Sequence, residues 1–236
     1  MRLDKFLSHA TDYSRAQVKK LIRDKRVSIN GELARQADRM VSDNDVVCLD
    51  QQPVQLAGPS YLMLYKPAGY VCATTDSENP TVLDLIDTPP ADLSVAGRLD
   101  KDTTGLVLLS NDGQWVHRVI SPRSDCLKVY HATLDAPLTQ EIVQAFASGV
   151  QLKNDDKPTL PARVSTLTDT VVSVAVSEGR YHQVRRMFAA CGRHVLALHR
   201  VSIGSIMLDP EMMPGQYRAL NTTEIDSMIT RQQEPS

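Results

Sequence analysis

The sequence is poor in cysteine, and the four it has, Cys48, Cys72, Cys126 and Cys191, lie far apart with no C-x-x-C pair. A disulfide framework and a structural zinc site are both disfavoured by that spacing. Histidines are few and scattered. His194 and His199 are five apart but have no acidic or cysteine partner at ligand spacing, so each reads as a structural residue or a contact to a ligand, and no metal is expected. No apolar run approaches the roughly 20 residues that cross a bilayer. The start, Met1-Arg2-Leu3-Asp4-Lys5, is charged and lacks the apolar stretch of a secretion signal. A cytoplasmic protein with no membrane partner is expected. No redox motif, internal repeat or low-complexity tract is present.

Net charge is also small, at -2, which argues against nucleic-acid binding until its distribution is read. Residues 1–26 carry eight Lys or Arg against three Asp, a net of +5, so the other 210 residues carry -7. A basic end on an acidic body is the asymmetry of an RNA-docking module. The 236 residues, 42% of them hydrophobic, suffice for one large domain or a small one plus a medium one.

The first fifty residues read as the small unit. Leu3, Phe6, Leu7 and Ala10 share one helical face. Ser14 opens a second helix with Gln17 as its capping-box partner, and Val18, Leu21 and Ile22 form the buried stripe. Arg15, Lys19, Arg23 and Arg26 follow the opposite face. With Arg2, Lys5 and Lys20 they make the candidate RNA-binding set, although a basic helix face can also be simply solvated. Residues 27–29 alternate like a strand and meet Asn30-Gly31, a tight-turn signal, and residues 46–49 read as a closing strand.

Residues 51–60, polar with two prolines and a glycine, read as a linker. A larger domain is expected over 61–230, with a disordered tail at 231–236. Strands are predicted at 61–65, 105–110, 128–134, 163–168, 171–177, 194–200, 203–208 and 216–220. Helices are predicted at 114–120, 139–148, 181–191 and from Asn221 to about 229, with a short helical turn at 82–86. The implied class is α+β: a small α/β module followed by a domain with a mainly antiparallel mixed sheet flanked by helices.

The segment richest in chemistry is Gly97-Arg98-Leu99-Asp100-Lys101-Asp102-Thr103-Thr104-Gly105. Two carboxylates, an arginine and two hydroxyls stand in a glycine-bounded loop before a buried strand. Local pattern alone leaves three readings open: a turn held by Asx hydrogen bonds, a metal site, or an acid–base pair.

Taken together, several separated motifs carry a resemblance. AGRLDKDTTGLVLLSNDG, EGRYHQVRRMF, LHR followed by Ile203-Gly204, and PGQYR resemble the RsuA-type pseudouridine synthases of ribosomal RNA. The start, RLDKFLS and SRAQVKKLIRDKRVSING, resembles an S4-type RNA-binding module. The resemblance covers about residues 1–229, and GRYHQVRRMFAA and LHRVSIG are similar to the small-subunit members. It implies isomerisation of one uridine in 16S rRNA (by resemblance, uridine 516) during small-subunit maturation. It implies 16S rRNA as partner, either naked or within a small-subunit assembly intermediate, and no cofactor, since the reaction has no redox step; a monomer is expected. Asp100 matches the catalytic carboxylate, Arg185 its cationic partner and Tyr130 the active-site tyrosine. Ile203 matches the apolar residue on the far face of the base. Arg98 would fill the gap left by the extruded uridine or brace its loop, and Arg180 and Arg186 would contact substrate RNA or remain solvated charges. Asp102 is expected to stabilise the loop, and Lys66-Pro67-Ala68-Gly69-Tyr70 to form a structural turn. A non-catalytic rRNA-binding assembly factor, and a hydrolase using Asp100 with Asp102, are the competing classes.

Overall fold

The computed structural model describes residues 1–42, 44–56, 58–121 and 126–229, and the chain divides into two compact units, 1–59 and 60–236. The anticipated tail at 231–236 lies outside the described residues.

In the first unit, helix α1 (Leu3–Ala10) buries Leu3 and Leu7, and α2 (Arg15–Arg23) buries Val18, Leu21 and Ile22. The Ser14–Gln17 capping box forms as the sequence predicts: the Gln17 amide donates to Ser14 Oγ, and the Ser14 amide to Gln17 Oε1. These apolar stripes pack with Val27, Ile29 and Val47 of a four-stranded antiparallel sheet. Its order is β2 (Glu32–Leu33), β1 (Val27–Ile29), β3 (Val47–Leu49), β4 (Gln52–Val54). Asn30 and Gly31 both have positive φ, as a two-residue hairpin turn requires.

Two expectations are corrected here. The basic track does not extend to Arg26, because α2 ends at Arg23 and Lys25 turns the chain with positive φ. Arg26 instead forms an ion pair with Asp50. The stretch read as a linker begins with a strand, β4, which pairs with β3 across Asp50-Gln51. Both turn residues have positive φ, without the Asn-Gly or Asp-Gly signal that announces such a hairpin.

Among the described residues the second unit is one nine-stranded mixed sheet flanked by helices. Its main path runs β13 (Tyr217–Ala219), β5 (Tyr61–Lys66), β7 (Thr104–Ser110), β11 (Val195–Ile203), β8 (Lys128–Leu134), β10 (Val171–Val176), β9 (Arg163–Thr166). Two short strands stand off that path, β6 (Ser94–Ala96) beside β7 and β12 (Ile206–Met207) beside β11. Among the named strands every pairing is antiparallel except β7 with β11, which meet in parallel at Thr104–His199 and Gly105–Arg200. Strand β7 is central and buried on both faces. One face packs Leu106 and Leu108 against Trp115 and Val119 of α3 (Gly113–Ile120); the other packs Val107 and Leu109 with Leu64 and Val82. A further core gathers Phe146 of α4 (Gln140–Ser148) and Phe188 of α5 (Gln183–Ala190) over β8 and β10. The closing helix α6 (Thr222–Ser227) carries the predicted Asn221–Glu224 capping box. The two strands read at 194–200 and 203–208 are in fact one long strand with register shifts, followed by the short β12. Strand β6 has no sequence expectation behind it.

Candidate active site

The loop over residues 97–103 leads directly into β7, and two buried cations hold its backbone. Arg200, 1% exposed, lies on β11 beside Gly105. Its Nη2 donates to the Gly97 carbonyl at 2.7 Å, its Nη1 to Arg98 at 3.5 Å, and its Nε to Leu106 at 2.8 Å. Lys66, fully buried at the end of β5, donates from Nζ to the carbonyls of Pro67, Lys101 and Thr103 at 3.0, 3.1 and 2.7 Å. Burial pushes the Lys66 ammonium below its ordinary pKa, while the Cys72 thiol and the Asp102 and Asp100 carboxylates pull it back up. The Gly69 amide donates to the Lys101 carbonyl, and the Leu99 amide to Cys72 Sγ. Gly105 makes the parallel crossing possible: its φ is +107°, and a Cβ there would lie 2.2 Å from the Arg200 carbonyl oxygen.

This strapped loop presents Asp100, partly exposed, to a cavity of about 650 Å³. Tyr130 of β8, Arg98, Lys128, Arg180, Tyr181, His182 and Arg200 also line it. A smaller adjoining recess of about 80 Å³ is walled by Asp100, Thr103, Tyr130, Val176, Gln183 and Leu198. His182 Nε2 lies 3.4 Å from Asp100 Oδ1. The Tyr130 hydroxyl accepts from Arg200 Nη1 at 3.4 Å, and the guanidinium carbon stands 5.9 Å from the ring centre. The site therefore offers the Asp100 carboxylate, the Tyr130 phenol and a cationic surround in a half-open cleft whose lining also includes Glu178 and Tyr181. That arrangement suits a planar, electron-rich ring attached to an electrophilic carbon, with phosphates at the rim.

The residues singled out from the sequence are placed unequally. Asp100 and Tyr130 share the cavity, and Arg98 stands exposed at its edge. Arg185 does not meet Asp100. It pairs with Asp102 at 2.8 Å and donates to the Val195 carbonyl at 2.9 Å, because its position on α5 points to the start of β11 and the far side of the loop. Asp102 thereby ties the loop to α5. Ile203 lines neither cavity. It is 0% exposed and packs in the core with Trp115, Val119 and Ile206. The apolar walls of the recess are instead Leu99, Leu198, Val176 and Val184. Arg186 is also absent from the cavity linings; it pairs with Asp155 and donates to the Lys153 carbonyl. Arg180 lines the cavity, but its guanidinium is engaged by Asp155, Glu178 and the Lys157 and Pro158 carbonyls. Together these two arginines pin the segment around Asp155 against the turn before α5.

The basic set of the first unit is placed on its surface: Arg15, Lys19, Lys20, Arg23 and Lys5 are exposed. Arg2 is braced by Asp4, and Arg26 by Asp50. Lys66, Arg200 and His182 are site residues to which sequence reasoning gave no individual role, Lys66 being read only as part of a structural turn. A lysine ending an apolar strand and an arginine inside a strand pattern were the available signals.

Comparison with known proteins gives consistent matches. The model of the RNA pseudouridylate synthase family matches residues 60–190, and that of the S4 domain matches residues 1–47. The chain is 51% identical over 230 residues to a ribosomal small subunit pseudouridine synthase A of Yersinia pestis, covering 97% of this chain and 98% of that one. The protein of the same name in Escherichia coli K12 is 49% identical, over 97% of this chain and all of its own length. A crystal structure of a pseudouridylate synthase superposes with a TM-score of 0.71 at 42% identity, covering 97% of this chain and 99% of that chain.

Proposed function

The chain belongs to the RNA pseudouridylate synthase family, and on that footing we propose that it isomerises one uridine of small-subunit (16S) ribosomal RNA with Asp100 as the reacting carboxylate. The observation that carries the reading is the convergence of Asp100 and Tyr130 on one cavity, under a loop that buried Lys66 and Arg200 hold by its backbone. In the reaction the N1–C1′ bond breaks, the uracil turns, C5 bonds to C1′, and the C5 proton leaves. The Asp100 carboxylate neutralises or bonds the electron-poor C1′, as carboxylates do in glycosyl transfer. The Tyr130 ring lies against the uracil, and its hydroxyl relays the C5 proton, giving up its own proton as it takes that one, while N1 takes a proton from solvent in place of the broken bond, so that no net proton is gained or lost. Arg185 acts through Asp102, as a positioning residue for the loop.

The target base leaves its stack at a cost of about a few kcal/mol. Arg98 at the cavity edge fills the space it vacates, and phosphate contacts from the exposed Lys5, Arg15, Lys19, Lys20 and Arg23 offset the cost. The finer assignments belong to the same proposal. They are uridine 516 as target, an assembling small subunit as substrate, a cytoplasmic setting and a monomeric enzyme.

Release of tritium from small-subunit rRNA labelled at uracil C5 tests the reading. Asp100→Asn keeps the side-chain shape and the loop's backbone bonds but removes the negative charge. Release should fall to background in the variant while RNA affinity is retained. Equal release from both proteins removes Asp100 from the chemistry. RNA binding with no release from the wild type would instead favour a non-catalytic assembly factor.

A further inference from the structure

Just before α5, the cavity rim carries a feature that the isomerisation chemistry leaves unused. Tyr181 is 77% exposed, the highest value among the large hydrophobic side chains described. Its ring stacks on His182, with centroids 3.8 Å apart and planes 17° from parallel. His182 takes φ +49°, a left-handed conformation unusual for a residue with a side chain. That backbone is fixed on both sides. Gln183 accepts from the Arg180 amide and donates to Glu178; the Arg186 amide donates to the His182 carbonyl, and its guanidinium to the Tyr181 carbonyl. One face of the Tyr181 ring is therefore backed by imidazole, and the rest of the residue stands largely in solvent. An exposed aromatic ring on a fixed backbone, in one cavity lining with Arg98 and Lys101, has the make-up of a base-stacking platform with phosphate-attracting neighbours.

We propose that Tyr181 stacks on an unpaired base next to the extruded uridine, forming a base–Tyr181–His182 column at the mouth of the cavity. The proposal rests on the assigned RNA chemistry of this site and adds a recognition element to it. Because His182 also touches Asp100, the column places the flanking nucleotide in register with the reacting carboxylate. Mutual stacking accounts for an otherwise costly arrangement, an exposed tyrosine beside a left-handed histidine.

The test compares wild type with Tyr181→Phe and Tyr181→Leu on a fragment of small-subunit rRNA spanning the proposed uridine. Each neighbour of that uridine is replaced in turn by 2-aminopurine, whose fluorescence is quenched on stacking. Wild type and Tyr181→Phe should quench the probe at one neighbouring position, and Tyr181→Leu should not. In tritium release, Tyr181→Leu should raise KM between about 5-fold and 100-fold with kcat nearly unchanged, and Tyr181→Phe should restore wild-type KM. Fluorescence of Trp115 checks that each variant is folded. Equal quenching and equal KM in Tyr181→Leu and wild type overturn the stacking proposal. If the wild type releases no tritium, the enzymatic reading fails, and the quenching comparison still decides whether Tyr181 receives a base.

Discussion

Replacing Lys66 with Met keeps the length and apolar stem of the side chain and removes its ammonium. The Lys101 carbonyl keeps the Gly69 amide as a partner, while the carbonyls of Pro67 and Thr103 lose the ammonium. A buried carbonyl left unsatisfied costs about 1–3 kcal/mol, so two cost about 2–6 kcal/mol. Against this stands the relief of no longer burying a charge, which returns part of the loss. A net destabilisation of about 3 kcal/mol is expected. With a urea dependence of about 2 kcal/mol per molar, the midpoint should fall by about 1.5 M. The chain has a single tryptophan, Trp115, buried in the second unit, so its emission reports the unfolding of that unit. In native buffer, tritium release should drop at least about 10-fold, because small misplacement of a reacting group is costly. A midpoint within 0.3 M of wild type (~0.6 kcal/mol on the same slope) together with undiminished release would refute the claim that Lys66 secures the Asp100 loop.

Three further outcomes follow from the same structure. Burial, with a smaller contribution from His131, holds the His199 imidazole below its ordinary pKa of 6.5, and its Nδ1 lies 2.8 Å from Thr104 Oγ1. The unfolded chain then binds the proton more readily, so His199 contributes stability above pH 6.5 that is lost as pH falls through the folded value. In His199→Asn, urea midpoints measured across that acid range should show a flatter decline than in wild type. Gly105→Ala forces a Cβ onto the Arg200 backbone at a positive φ and should cost about 3–5 kcal/mol by Trp115-monitored unfolding; a loss under about 1 kcal/mol would contradict the packed crossing. Reversing Lys19 and Arg23 to Glu should leave both units folded, since both side chains are exposed. It should weaken RNA binding and lower the slope of log K against log salt by roughly 1–2, and an unchanged slope would show that this face does not touch phosphate.

What the sequence by itself determined is local. Periodicity, capping boxes and the Asn30-Gly31 turn depend on residues within a turn or two of each other, so α1, α2, β1 and the Asn221 cap could be read directly. Strands short of such signals escaped: β4 follows an Asp-Gln turn, and β6 is three residues long. Asp100 and Tyr130 were legible because whole motifs resemble a family. The cations around them were decided only by the tertiary structure. Two charges this deeply buried are stable only where carbonyls from distant segments converge on them. That convergence exists around Gly105, which pairs with Lys66 of β5 and, in parallel and 95 positions along the chain, with Arg200 of β11. The same packing sent Arg185 to Asp102 and Ile203 into the core, since the pitch of a helix and the register of a bulged strand set which way each side chain points.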